Sequence, residues 1–170
     1  MNTAELLLDG YGRVHDSVHA AVAGLDADRL THRVDPDANT IAWLVWHLTR
    51  VQDDHVCEVA DLEQEWIAGG WADRFGLPFD HSATGYGHSS ADVAAVQASA
   101  ADLLGYFDAV HARTAAYLGS LTDADLDRVV DDHWDPPVTL GVRLVSVLDD
   151  DLEHAGQAAL LRGIAERIAR

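Results

Sequence analysis

The hydrophobic positions of this chain follow a helical period. Apolar residues recur three and four positions apart in four segments, and no segment alternates apolar and polar side chains for long enough to indicate a sheet. The pattern predicts an all-α fold built from four helices that pack as a bundle. The predicted helices span residues 2–24, 40–66, 89–118 and 139 to near the C-terminus.

Capping residues support these boundaries. Asn2 or Thr3 can cap the first helix, with Glu5 as the acid of a capping box, and Ser89 and Asp92 form the same pattern before the third helix. Gly24 is a natural helix stop. Within residues 121–138, a short capped turn and a pair of prolines precede the last helix.

A long loop is predicted between the second and third helices. Residues 66–88 are rich in glycine and aromatic side chains and show no strand alternation. The loop is either a wall over a binding site or a segment packed across one end of the bundle.

Length and composition indicate one globular domain, residues 1–170. Hydrophobic residues make up 48% of the chain and charged residues 24%, which is typical of a folded protein. No apolar run approaches the ~20 residues of a membrane span. The first residues lack the features of a signal peptide, so we expect a cytoplasmic protein. Cys57 is the only cysteine, which excludes an internal disulfide.

The charge narrows the set of partners. The chain has 29 acidic residues and 11 basic residues, and all of the basic residues are arginine, so its net charge is −18. Such a surface repels phosphate backbones and anionic lipid, so we expect neither nucleic acid nor a membrane as a partner. A bundle with an unused apolar helix face often dimerises, and a homodimer is therefore among the expected assemblies.

Candidate metal ligands lie on the second and fourth helices. Asp150 and His154 are four residues apart, about 40° around a helix, so both side chains project from one apolar face. A carboxylate and an imidazole are ligands for zinc or nickel. A third ligand would come from the second helix, where His55 lies on the apolar stripe formed by Ile41, Leu44, Leu48, Val51 and Leu62, and His47 lies at its edge. Periodicity does not decide between the two histidines.

The same residues can also have a purely structural role in the core or on the surface of the bundle. One Asp-x-x-x-His pair is a weak signal, and a buried histidine on an apolar face is more often a hydrogen-bonded core residue. The acidic run around Asp150 can also be a solvated helix face. The histidines for which we expect only surface or hydrogen-bonding roles are His15, His19, His32, His81, His111 and His133.

Longer blocks of the sequence carry a family resemblance. The segments TIAWLVWHLTRVQDDH and LDDDLEHAGQAALLRG resemble the DinB-like superfamily, and the similarity covers nearly the whole chain. That superfamily includes the metal-binding domain of mycothiol-dependent maleylpyruvate isomerase and a group of thiol S-transferases. The segments WHLTRVQDDH, GWADRFGLPFD, TGYGHSSADVAAV and WDPPVTLGVRLVSV are most similar to mycothiol S-transferases of actinobacteria.

The resemblance implies a metal triad and an enzymatic function. The family pattern is one histidine from the second helix and a His-x-x-x-His pair from the fourth, which here correspond to His47, Asp150 and His154. Aspartate in place of the first histidine of the pair makes the site harder and leaves zinc or nickel as candidate ions. The implied function is metal-dependent conjugation of a low-molecular-weight thiol, mycothiol in the family, to an electrophile. The alternative is a non-catalytic bundle, linked to stress, that binds a metal or a ligand.

Candidate substrate contacts lie in the long loop. Arg74 can meet a carboxylate of the substrate, and Tyr86 and His88 can line the pocket. The other interpretation is that these side chains only pack the loop across the bundle. Cys57 is interpreted as a buried small apolar residue, so the reactive thiol would be supplied by a co-substrate.

Overall fold

Four long helices form the bundle in the computed structural model, which describes residues 1–168. They are α1 (Thr3–Val22), α3 (Ile41–Ala60), α7 (Ala100–Ser120) and α8 (Leu140–Ile168). Around the bundle, α1 packs on α7, α7 on α3, α3 on α8 and α8 on α1. The all-α prediction is confirmed. None of the helices described is both long enough and apolar enough to cross a membrane.

Short elements connect the long helices. They are α2 (Ala27–Leu30), α4 (Glu65–Ala68), α5 (Trp71–Phe75), α6 (Ser90–Ala95), a 3-10 helix (Asp123–Asp127), β1 (Val129–Asp131) and β2 (Val138–Thr139). The two strands pair antiparallel and form a small hairpin before α8. They are two and three residues long, too short to produce the alternation that a sequence pattern can detect.

The predicted caps are confirmed at two helix starts. The Asn2 side chain accepts the Glu5 backbone N–H, and the Glu5 carboxylate accepts the Asn2 N–H in return. Ser89 and Asp92 make the same reciprocal pair before α6. Each pair satisfies backbone donors that a helix start would otherwise leave without partners.

Two predicted helix boundaries are wrong. The second long helix ends at Ala60 rather than Trp66, because Asp61 adopts a left-handed conformation with φ of 55°. Leu62, predicted on its apolar stripe, is therefore outside the helix and exposed. The predicted third helix is broken after α6, since Val96 is extended, and a new helix starts where Ser99 caps α7.

The early end of α3 is explained by a buried carboxylate. Asp53 accepts the backbone N–H groups of Glu65 and Trp66, at distances of 2.9 and 2.8 Å, and also the Tyr106 hydroxyl at 2.8 Å. These bonds turn the chain back against α3. The predicted loop over residues 66–88 contains the helical turns α4 and α5, and most of its aromatic side chains pack against the core of the bundle.

The following segment is held by a buried arginine. Arg50 is completely buried, and its guanidinium donates to the carbonyl oxygens of His81 and Ala83 and to Gln64 Oε1. Its Nη1 lies 3.6 Å from the carboxylate of Asp53. Fifteen of the twenty residues of α3 are buried, because this segment covers the helix face that the other long helices leave open.

Candidate metal centre

Three ligand-type side chains converge between α3 and α8. His47 extends from α3, and Asp150 and His154 extend from successive turns of α8. One ligand atom from each lies within 4.8 Å of the others. Asp150 and His154 are neighbours because of helix geometry, whereas His47 reaches them because α3 packs directly on α8.

Hydrogen bonds fix the orientation of both imidazoles. His47 Nδ1 donates to the carbonyl oxygen of Thr84 at 2.5 Å, and His154 Nδ1 donates to Oε1 of Gln157 at 3.0 Å. Because oxygen is the acceptor in both bonds, Nδ1 is the donor nitrogen of each ring, and Nε2 is the nitrogen that remains to bind a metal. His154 Nε2 lies 3.6 Å from Oδ1 of Asp150. The bonds from Nδ1 to Thr84 and Gln157 are of the kind that fixes the tautomer of a metal-ligating histidine.

The electrostatics of the cluster also fit a cation. His47 is 6% exposed, and burial lowers its pKa despite the opposing effects of the Thr84 carbonyl and the Asp150 carboxylate. His47 is therefore neutral at physiological pH, as a metal ligand must be. Oδ2 of Asp150 is buried and has no hydrogen-bond partner within residues 1–168. A buried carboxylate oxygen without a partner is costly, and a bound cation would remove that cost.

The surroundings of His47 are tightly packed. Trp43 stacks on the His47 ring, with centroids 4.6 Å apart and an interplanar angle of 14°. Gly85 lies close to both rings, and a Cβ there would be only 2.7 Å from His47 Nδ1 and 3.2 Å from the Trp43 ring. Gly85 also has φ of +101°, a conformation that other residues rarely adopt. The loop can approach His47 this closely because position 85 has no side chain.

A cavity of about 320 Å³ lies beside the cluster. Its lining residues are His47, Val51, His55, Thr84, Tyr86, Arg143, Ser146, Val147 and Asp150. Arg143 on the cavity wall lies with Nη1 2.9 Å from His55 Nδ1 and also binds Glu58 and Asp131. The structure thus places His47, not His55, with Asp150 and His154, and places His55 in the wall of the neighbouring cavity.

The three predicted substrate contacts are not brought together. Tyr86 lines the cavity beside the cluster and is 94% exposed. His88 accepts the indole N–H of Trp43 at 3.2 Å, so it lies one side chain away from His47. Arg74 lies in a different cavity, hydrogen-bonded to Asp102.

Sequence reasoning missed three residues around the cluster. Gln157 lies three positions after His154, and that helical spacing was a usable signal. Thr84 acts through its backbone carbonyl, which any residue could supply, so no side-chain pattern reveals it. Arg143 precedes Asp150 by two helical turns on the same helix, and this spacing alone does not indicate a cavity wall.

Comparison with known proteins agrees with this architecture. The family model of the DinB superfamily matches residues 11–158. The chain belongs to the DinB superfamily. This superfamily includes metal-binding members. No curated protein matches the sequence significantly.

A solved structure resembles this DinB-superfamily chain over its full length. It is the crystal structure of a conserved protein from Enterococcus faecalis. The two chains share 28% sequence identity and superpose with a TM-score of 0.91, covering 100% of this chain and 99% of the other. The arrangement of helices that brings α3 against α8 is therefore shared by a second protein at low sequence identity.

Proposed function

We propose that this protein is a metal-dependent transferase that activates a low-molecular-weight thiol for conjugation to an electrophile. The observation that carries the proposal is the convergence of His47, Asp150 and His154 next to a cavity of about 320 Å³. Three protein ligands beside an open cavity are typical of catalytic metal sites, which keep coordination positions for water or substrate. The resemblance of four sequence blocks to mycothiol S-transferases supports mycothiol as the thiol.

The donor set indicates zinc or nickel. Two imidazoles and one carboxylate suit either ion, and the carboxylate of Asp150 makes the site harder than a site of three histidines. A divalent ion held there would lower the pKa of a bound thiol and keep it as the nucleophilic thiolate. The protein contributes orientation, since Thr84 and Gln157 hold the two imidazoles with Nε2 free.

The thiol has to come from outside the chain. Cys57 is 2% exposed, and burial together with the nearby Asp53 carboxylate raises the pKa of its thiol to about 11. A buried, protonated thiol is a poor nucleophile. In the proposed reaction a sulfur–carbon bond forms between the external thiol and the electrophile, the leaving group departs with its electron pair, and the thiol proton is released to solvent.

Of the predicted substrate contacts, Tyr86 alone is among the residues that line this cavity. Tyr86 would offer its exposed phenol from the cavity lining. The guanidinium of Arg143 lines the same cavity but is already paired with Glu58 and Asp131, so an anionic substrate group would have to compete with these carboxylates. His88 would act through Trp43, which stacks on His47. Arg74 is too distant to share this cavity, so its proposed contact would require a substrate that also reaches the cavity containing Asp102.

Metal content provides the first test. We expect wild-type protein, purified without chelator or metal-affinity resin, to hold zinc or nickel, and His154→Ala to lose the equivalent bound at this cluster. His55→Ala is the matched control, because His55 is on α3 like His47 but lies outside the cluster. Loss of the same equivalent in His55→Ala, or its retention in His154→Ala, would contradict the assigned ligands.

A conjugation assay tests the transferase. Metal-loaded wild type, mycothiol and a chromogenic aryl chloride should give product faster than the uncatalysed mixture, and His154→Ala should abolish the difference. Cysteine in place of mycothiol tests selectivity for the thiol. Stoichiometric metal without turnover on any thiol and electrophile tried would instead support the non-catalytic metal-binding bundle.

A further inference from the structure

A second cluster of ligand-type side chains lies between α1 and α7. His15 and His19 are four residues apart on α1, and Asp108 faces them from α7. One ligand atom from each lies within 4.8 Å of the others. The sequence indicates surface or hydrogen-bonding roles for these two histidines, and His19 does form a hydrogen bond with Asp108.

The contacts in this cluster involve the atoms that ligate metals. Oδ1 of Asp108 lies 3.2 Å from Nε2 of His15 and 2.6 Å from Nε2 of His19. Both imidazoles thus direct the same nitrogen to the same carboxylate oxygen. The two rings lie with centroids 4.4 Å apart, and their ligand atoms lie within 4.8 Å of each other and of the Asp108 carboxylate.

Neighbouring side chains hold the His15 ring in place. Its centroid lies 4.7 Å from that of His111 and 5.9 Å from that of Phe107, which it overlies. On its other edge, Nδ1 of His15 lies 3.5 Å from Oδ1 of Asp16. A carboxylate at that position would accept the Nδ1 proton when Nε2 binds an ion, as second-shell carboxylates do for metal-bound histidines.

We propose that His15, His19 and Asp108 form a second site for a divalent transition metal ion. Two imidazole nitrogens and one carboxylate oxygen match the donors preferred by zinc, nickel and cobalt. The side chains of His15 and His19 are about one-third exposed, so the ion can enter from solvent and complete its coordination with water. The net charge of −18 favours the approach of any cation.

The second site is independent of the first. In the bundle, α1 packs on α7 and on α8, whereas α3 packs on α8 and on α7. The α1–α7 pair therefore lies on the side opposite the α3–α8 pair, and no residue belongs to both clusters. An ion bound between α1 and α7 would connect two helices that carry no ligand of the first site. Because the ion would bind only the folded protein, it would stabilise the folded state.

The test uses the full chain with the first cluster removed. In the His154→Ala background, titration with Zn²⁺ should show one bound equivalent, and Co²⁺ should give a visible absorption band. Adding His19→Gln should weaken that binding at least tenfold, and adding His15→Gln should do the same. His81→Gln in the same background is the matched control, because His81 is exposed and lies outside the clusters.

A second measurement separates binding from misfolding. The thermal midpoint of His154→Ala should rise with added Zn²⁺, and this rise should disappear in His154→Ala/His19→Gln while the midpoint without metal stays close to that of the parent. The proposal is overturned if His154→Ala binds no ion, or if its bound equivalent survives both glutamine substitutions. In the latter case, the group of Asp131, Asp132 and His133 is the next candidate among residues 1–168. A wild type whose only ion is lost in His19→Gln would support this site and count against the proposed transferase.

Discussion

At the scale of single residues, small backbone features position the ligands of the first cluster. The carbonyl of Thr84 holds the proton of His47, and the missing side chain at Gly85 leaves room for that contact. Gly85 and Gly87 differ in the space around them. Gly85 and Gly87 both have positive φ, but only Gly85 has neighbours where its Cβ would lie.

Replacing Gly85 with alanine should weaken metal binding. Its Cβ would lie 2.7 Å from His47 Nδ1 and 3.1 Å from Trp46, so the loop or the imidazole must move. We expect the affinity for Zn²⁺ to fall about 10- to 100-fold, the usual effect of disturbing a group that orients a ligand. Gly87→Ala is the control. Its alanine would have the same positive-φ strain of about 1 kcal/mol, but its Cβ would contact no neighbouring side chain. Equal affinities in the two variants would contradict this account.

The buried thiol of Cys57 should be unreactive in the native protein. With a pKa of about 11, it is protonated and buried at pH 8, so a thiol reagent should label it only after unfolding in urea. Cys57→Ser should retain the proposed transferase activity. Rapid native labelling, or an activity that depends on Cys57, would assign the nucleophile to the chain itself.

Cys57 also gives the protein a defined alkaline pH dependence. Its thiol pKa is raised in the folded state, so the folded state holds the proton more tightly than the unfolded chain, whose pKa is near 9.0. This contribution to stability is complete below pH 9 and is lost as the pH rises towards 11. In urea unfolding, the stability of wild type should therefore fall more steeply over that range than the stability of Cys57→Ala.

At the scale of elements, the polar network of α3 determines the path of the covering segment. Arg50 binds the carbonyls of His81 and Ala83, immediately before Thr84, and Asp53 binds the start of α4. The helix starts predicted at Asn2 and Ser89 were correct, whereas the break at Val96 was missed although the Ser99 cap that follows it is a local signal. The predicted end of the second helix was wrong because Asp53 binds the backbone of Glu65 and Trp66, twelve and thirteen residues away, and no local pattern shows this contact.

Replacing Arg50 with methionine should destabilise the protein strongly. The substitution leaves the buried carboxylate of Asp53 without its nearby positive charge and frees two loop carbonyls, and such a loss costs about 3–5 kcal/mol. Urea unfolding measures the loss, and hydrogen exchange should show faster opening of residues 61–88. Arg13→Met is the control, since the pair of Arg13 with Asp9 is exposed to solvent and contributes little to stability. Similar losses in both variants would contradict the role given to Arg50.

At the scale of the whole molecule, the charge of −18 opposes compaction. Acidic residues outnumber arginines 29 to 11, so most exposed carboxylates have no arginine to pair with. The predictions that nucleic acid and membranes are not partners, and that the chain can form a homodimer, remain predictions.

Added salt should therefore stabilise the protein. Raising the ionic strength from about 0.01 M to 0.15 M shortens the Debye length from about 30 Å to 8 Å, which screens repulsion across the surface. The midpoint of urea unfolding should rise with NaCl. A triple variant, Asp28→Asn, Asp37→Asn and Asp127→Asn, changes three exposed carboxylates, lowers the charge from −18 to −15 and should show a smaller rise. A midpoint that falls with NaCl in both proteins would show that attraction dominates the surface charges.

The sequence by itself determined the features that depend on neighbours along one helix. Helical periodicity and capping boxes are local, so four long helices, the start at Asn2 and the pairing of Asp150 with His154 could be predicted. Tertiary structure alone decided which side chains meet across helices. Periodicity left His47 and His55 open and the family resemblance favoured His47, but the packing of α3 on α8 is what places His47 beside Asp150 and His154. The contact of His19 with Asp108 likewise depends on α1 packing on α7. These contacts join residues about 90 to 110 positions apart, and burial of the whole core, rather than any local pattern, brings them together.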